Sequence, residues 1–175
     1  MKYLLDTCAV SDFVKGQPNV LARVKATSPT LIAVSALTRM EVDYGLALNA
    51  ERARKLTPVL DAFFSTISTL PFNEADARAT AAIRAALKTR GQPIGAYDVL
   101  IAGTGLARGL VVVTSNVGEF KRVSGLQVED WSGDVRWGNG GSEPLNPTPL
   151  KSQRHKGLQL SFTYRKASPW PTAKG

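Results

Sequence analysis

The chain has 175 residues, 43% of them hydrophobic, which is enough for one domain with a proper core and too few for two comfortable ones. A single cysteine, Cys8, excludes an internal disulfide framework and a cysteine-cluster zinc site, and a single histidine, His155, counts against Ser-His-Asp hydrolases and histidine-based nucleases. The net charge of +8 is uneven: residues 1–132 hold 15 Lys/Arg and 12 Asp/Glu (+3), residues 133–175 hold 7 and 2 (+5), and a basic excess suits a polyanionic partner.

In chain order, "KYLLDT" is a short apolar strand ending at Asp6, and "AVSDFVKG" begins a helix. "TLIAV" is a second, β-branched strand, after which Ser35 caps the helix "ALTRMEVDYGLALN". A long helix is expected over about 51–67, then a short strand in "STLPFN" and an alanine-rich helix, "EADARATAAIRAALKTRG", closed by Gly91. An apolar helix with Asp98 in its first turn runs into the strand "LVVVTSN", and "LQVEDW" closes the domain as a last strand. No apolar run approaches the ~18 residues of a membrane span. Asp6 also interrupts the opening "MKYLLDTCAV" where a signal peptide would stay apolar, so a cytoplasmic protein is expected.

Strands alternating with helices predict an α/β fold with a central, mainly parallel sheet over residues 1–132. Residues 133–175 hold half of the ten prolines, show no sustained periodicity and read as a basic, Gly/Pro-rich, disordered tail.

In a parallel sheet, ligands bind beyond the carboxyl ends of the strands. Asp6 ends the first strand, Glu41 lies in the second turn of the helix leaving the second, Asp98 opens a helix at the same edge, and Glu119 follows "VVVTSN". Leu37, Glu41, Tyr44 and Leu48 follow helical spacing, which places Glu41 within an apolar stripe. Each acid alone has a plain reading as a helix-end or turn residue; their shared edge is the argument. Carboxylates crowded together repel unless a cation neutralises them, and Mg²⁺, an oxygen-seeking ion that keeps several waters, is the natural choice. Such a site can activate a water and stabilise an in-line displacement at phosphorus. Asn116 supplies an amide nearby. "GTGLARG" is no dinucleotide fingerprint, since it precedes a strand and has Arg108 where the third glycine belongs. "LDTCAV" lacks the second Asp of an aspartyl phosphatase loop, having Cys8 there.

The blocks "YLLDT", "SALTRMEVDYG", "GQPIGAYDVLIAG" and "VVVTSNVGEFKRVSGLQVEDW", in this order and at these intervals, closely resemble the PIN-domain ribonucleases, in particular the VapC toxins of bacterial toxin–antitoxin pairs. The resemblance covers about residues 1–132 and implies a three-layer α/β/α PIN-like domain. It implies an Mg²⁺- or Mn²⁺-dependent endoribonuclease that cuts structured RNA, typically a tRNA loop, and stops translation. It further implies a homodimer and a cognate VapB-type antitoxin. Asp6, Glu41 and Asp98 match the family's three principal acids, Glu119 the fourth acidic position, and Thr114 and Asn116 the polar pair after the strand. On this reading Asp6, Asp98 and Glu119 hold the metal directly or through water, Glu41 completes the pocket, and Arg39, Arg90 and Lys121 are candidate RNA contacts. The chain departs from the family where Cys8 replaces the usual Asn of Asp-Thr-Asn, and cysteine cannot reproduce the amide's hydrogen bonds. Two rivals follow: a phosphohydrolase of small phosphate esters, and a degenerate PIN protein that only pairs with an antitoxin.

Overall fold

The computed structural model describes residues 1–133; the expected tail, from residue 134 on, lies outside the described residues. Five parallel strands form the sheet: β1 (Tyr3–Leu5), β2 (Ile32–Ser35), β3 (Ser68–Leu70), β4 (Val111–Val113) and β5 (Val128–Glu129), in the order β3-β2-β1-β4-β5. Leu4 pairs with Ala33 on one side and Val112 on the other, and all three are fully buried, as expected of central parallel strands covered on both faces.

Helices cover both faces. α5 (Glu74–Thr89) and α6 (Ala96–Ala107) pack through Ile83, Leu87, Ile101 and Ala102 onto Leu4, Ala33 and Val112. On the other face α1 (Thr7–Val14), α2 (Pro18–Ala26) and α4 (Ala50–Thr66) pack through Val10, Val20 and Phe63 onto Leu5, Val34 and Val113. α3 (Ala36–Ala47) serves both cores, Leu37 in one and Val42 and Leu46 in the other, and the short α7 (Val117–Phe120) buries Phe120. This is the expected three-layer α/β/α arrangement, with a sheet that is parallel throughout the described residues.

The expected helix caps are present: Ser35 accepts from the Thr38 amide at 3.0 Å, and Gly91 ends α5 with φ +64°. Three local readings change. α2 lies where no element was expected; Pro18 opens it and the Gln17 side chain caps it through the Val20 amide, an unusual N-cap residue. α7 occupies what read as a loop. The inward face of α3 is not the expected stripe, because Tyr44 and Leu48 are 59% and 69% exposed. Thr38, Val42 and Leu46 face inward instead, and half-buried Glu41 lies beside them, since positions three and four apart share a helix face.

"GTGLARG" also has a packing explanation. A Cβ at Gly103 would come within 1.9 Å of the Thr80 hydroxyl, and one at Gly105 within 2.7 Å of Val112. The glycines let α6 lie directly against α5 and β4. Arg108, just past α6, forks onto Asp76 at 3.1 and 2.7 Å and onto the Pro71 carbonyl at 2.7 Å, tying the two helices together at this end. Burial alone would raise the Asp76 carboxyl; bonds from Arg108 and the Asn73 amide, with the Arg108 charge, hold it below its usual range.

Candidate active site

The chain winds outward from β1 in two directions, toward β2 and β3 on one side and β4 and β5 on the other. The switch lies between β1 and β4, whose carboxyl ends therefore open a crevice. Asp6 stands at its floor. Its amide donates to the Val113 carbonyl at 3.1 Å, continuing the β1–β4 ladder by one residue. Its carboxylate turns to cap α1 through the Ala9 amide at 2.8 Å. Thr114, one residue past β4, bonds the same carboxylate with its hydroxyl and accepts from the Asn116 amide at 2.8 Å. Asp6 is 2% exposed, and burial pushes it up to about 7, against the bonds from Thr114 and Ala9, with the charges of Asp98 and Asp12 adding to the rise.

Asp98 arrives from the first turn of α6 and accepts from the Asn116 side-chain amide at 3.2 Å. It too rises to about 7, through burial first, then through a hydrogen bond with Glu119 and the charges of Glu119 and Glu41. Glu119, in α7, also accepts from the Gly95 amide at the start of α6 at 2.8 Å. Gly95 leaves room for Asp98: a Cβ there would stand 2.8 Å from Asp98 Oδ2. Glu41 accepts from the Thr7 hydroxyl at 2.5 Å, and burial raises it while that bond lowers it. The four acids picked out from the sequence thus share one edge, and Thr114 and Asn116 lie among them.

Of the basic candidates, Arg39 and Arg90 are engaged elsewhere. Arg39 bonds Asp43 at 2.9 Å, approaches Asp61 at 3.8 Å and lies over the Phe64 ring at 4.4 Å. Arg90 donates to the Arg122 carbonyl at 2.8 Å, and Arg122 to the Pro93 carbonyl at 3.0 Å, so the pair fastens the loop that leads into α6. Lys121 is exposed and its backbone amide closes α7. Cys8 is surface-accessible at the crevice rim; crowding around its thiol and the charges of Asp6, Asp98 and Asp12 raise its pKa, and Ser115 hydrogen-bonds it. Thr7, Gly95, Ser115 and Arg122 were not singled out from the sequence. Their contacts join residues far apart in the chain, and only the glycine in "PIGAYD" marked one of them locally.

None of the four acids forms an ion pair with Lys or Arg among the described residues. Nor do any three Asp, Glu, His or Cys there stand close enough to cage a metal alone. An ion that takes one or two carboxylates and keeps water on its other positions suits such a donor set.

The PIN domain family profile matches residues 3–126. A tRNA(fMet)-specific endonuclease VapC from Shigella flexneri is 37% identical over 132 residues, covering 75% of this chain and 99% of that protein. The chain belongs to the PIN-domain family, in its VapC branch. A ribonuclease VapC2 from Haemophilus influenzae is 33% identical to this PIN domain over 75% of the chain and 98% of the relative. Among solved structures, the DNA-bound VapBC of Salmonella typhimurium superposes with a TM-score of 0.70 at 36% identity, covering 75% of this chain and 98% of that one. FitAcB from Neisseria gonorrhoeae superposes with a TM-score of 0.67 at 31% identity, over 74% and 97%. No helix among the described residues is long and apolar enough to cross a membrane.

Proposed function

We propose that this PIN protein is a divalent-metal-dependent endoribonuclease, the toxin of a VapBC-type pair, that cuts structured RNA such as a tRNA loop. The observation that carries the proposal is the burial of Asp6 beside Asp98, Glu41 and Glu119 with no cationic side chain paired to any of them among the described residues. A buried carboxylate set among three partly buried ones that repel it is the arrangement of a functional site. The names of relatives in Shigella flexneri and Haemophilus influenzae support RNA as the substrate, and the VapBC complexes among the solved structures support an antitoxin partner. A homodimer is part of the same reading, as is a catalytic unit spanning residues 1–132.

Asp6, Asp98 and Glu119 would hold Mg²⁺ or Mn²⁺, directly or through water, and the ion when bound supplies charge neutralisation at the phosphate and an acidified water. Asp6 is preset by the α1 cap and by Thr114, which fixes its carboxylate before any ligand arrives. Asn116 turns Asp98 toward the crevice, and Glu119 holds the start of α6 through Gly95. Glu41 completes the pocket and accepts a proton from the attacking water. Cys8 lies at the rim and makes none of the bonds that orient the four acids, so its replacement of the family's Asn leaves that set in place.

The test is cleavage of total bacterial tRNA by the purified chain with Mg²⁺ or Mn²⁺, with EDTA, and with Asp98→Asn. Cutting at one loop that disappears in EDTA and in the variant is expected. An intact tRNA pool, or hydrolysis of a generic phosphomonoester without RNA cleavage, overturns the proposal.

A further inference from the structure

Glu41 reaches the crevice differently from its companions. Asp6 ends a strand, Asp98 and Glu119 lie in the first turns of helices, but Glu41 projects from the second turn of α3 on a long side chain. Glutamate has enough rotatable bonds to leave a half-buried position for water, and burial, which raises its pKa, favours that departure. Among the described residues its carboxylate has no ion pair, and the hydrogen bond that holds it inward comes from Thr7 Oγ1 at 2.5 Å, across 34 residues of chain.

Thr7 is well placed for this. It is the first residue of α1, where the capping bond is already made by Asp6, so its hydroxyl is not needed to close the helix end. Together with Val10, Val42 and Gly45 it also lines a small, mostly apolar cavity between α1, α3 and α4; Ser11 and Arg52 line it too, but among the described residues neither bonds the Glu41 carboxylate.

We propose that Thr7 is a positioning residue, whose hydroxyl holds the Glu41 carboxylate beside Asp98; the proposal rests on the nuclease reading above. Thr7 follows Asp6 directly, so the turn that places one acid also sets the other. The spacing between Asp6 and Glu41 is then fixed by one peptide unit of β1–α1 rather than by the packing of α3. Valine has the shape of threonine without the hydroxyl, and serine has the hydroxyl without the methyl, so the two substitutions separate the bond from the packing.

The experiment uses the full chain as wild type, Thr7→Val, Thr7→Ser and Thr7→Ala, and repeats Thr7→Val in a Glu41→Gln background. Mn²⁺ binding is read by electron paramagnetic resonance of the free ion, and tRNA cleavage as kcat and KM separately. Thr7→Val and Thr7→Ala are expected to bind Mn²⁺ roughly 10-fold more weakly, because a displaced Glu41 takes its negative charge away from the pocket, and to lose kcat with KM little changed. Thr7→Ser is expected to recover most of both, and Thr7→Val to add nothing once Glu41 is Gln. Wild-type Mn²⁺ affinity in folded Thr7→Val or Thr7→Ala overturns the proposal. So does a serine variant as weak as valine, or the same loss with Glu41→Gln in place. A wild type that binds Mn²⁺ but leaves RNA intact removes the nuclease reading alone, while the binding series still judges Thr7.

Discussion

Replacing Asp6 with Asn should stabilise the metal-free protein at alkaline pH. The substitution keeps the shape and an oxygen able to accept from the Ala9 amide, since Asn caps helices as well as Asp does. What it removes is a buried negative charge. The folded protein holds the Asp6 proton until about pH 7, whereas the unfolded chain releases it near 3.8. Between those values the native state binds more protons than the unfolded state, so stability falls as pH rises through that window and levels off above it. The gap is roughly 3 pKa units at about 1.4 kcal/mol each, a penalty on the order of 4 kcal/mol at pH 8. It drops to under half of that by about pH 5 and closes near pH 4. Thermal unfolding in EDTA, at a series of pH values, should therefore show Asp6→Asn melting roughly 10 °C above wild type at pH 8 and converging with it in acid. Adding Mg²⁺ should raise the wild-type midpoint and leave that of the variant where it was. A variant that melts with or below wild type at pH 8, or a gap that does not change with pH, would refute the argument that Asp6 is a costly charge kept for a ligand.

Two further substitutions test how the crevice is held. Gly95→Ala is compatible with the backbone, whose φ is −52°, but its Cβ would stand 2.8 Å from Asp98 Oδ2, so the carboxylate must move. A folded protein with a melting point close to wild type and tRNA cleavage reduced about 100-fold is expected, as for a misplacement on the order of 1 Å; unaltered cleavage would show that Asp98 has room to spare. Gly103→Ala drives a methyl to within 1.9 Å of Thr80 Oγ1, and its overpacking cost of about 1–3 kcal/mol should exceed the ~1 kcal/mol that alanine gains in helix propensity. Thr80→Ala removes that oxygen, which is buried without a hydrogen-bond partner among the described residues, so the double variant should regain most of the lost melting temperature. Equal stability of Gly103→Ala and wild type would show that α5 and α6 can part at little cost.

Much of the architecture was legible because its cues are local. Ser35 before an apolar helix, Gly91 after an alanine-rich one and the β-branched "LVVVTSN" each announce an element within a few residues. α2 escaped because Pro18 and Asn19 read as a turn and Val20 is its one fully buried residue, leaving little periodicity to see. The α3 stripe misled for a related reason. Tyr44 and Leu48 have the spacing of a core face but stand in solvent, while Glu41 lies beside the inward residues Thr38 and Val42. At the crevice, the acids could be assigned to one sheet edge from the alternation of strands and helices, because ligands bind beyond the carboxyl ends of parallel strands. The bonds that orient them could not: Thr7 to Glu41 spans 34 residues and Gly95 to Glu119 spans 24, and no local pattern encodes either.

α6 is buried along most of its length, from Val99 through Gly105, yet it begins at an exposed Gly95. Its inner amides should exchange with solvent hydrogen only when the whole domain opens, while those of the 91–95 loop exchange by small local motions. Asp98 lies at the frontier between these regimes. The Glu119 carboxylate on the Gly95 amide is therefore also a latch on fraying, and Glu119→Gln should shorten the protection of the first α6 turn while leaving exchange at Ile101 and Ala102 unchanged. A protein that places a working carboxylate at such a frontier can let that end of the crevice open for a long substrate without loosening the rod behind it.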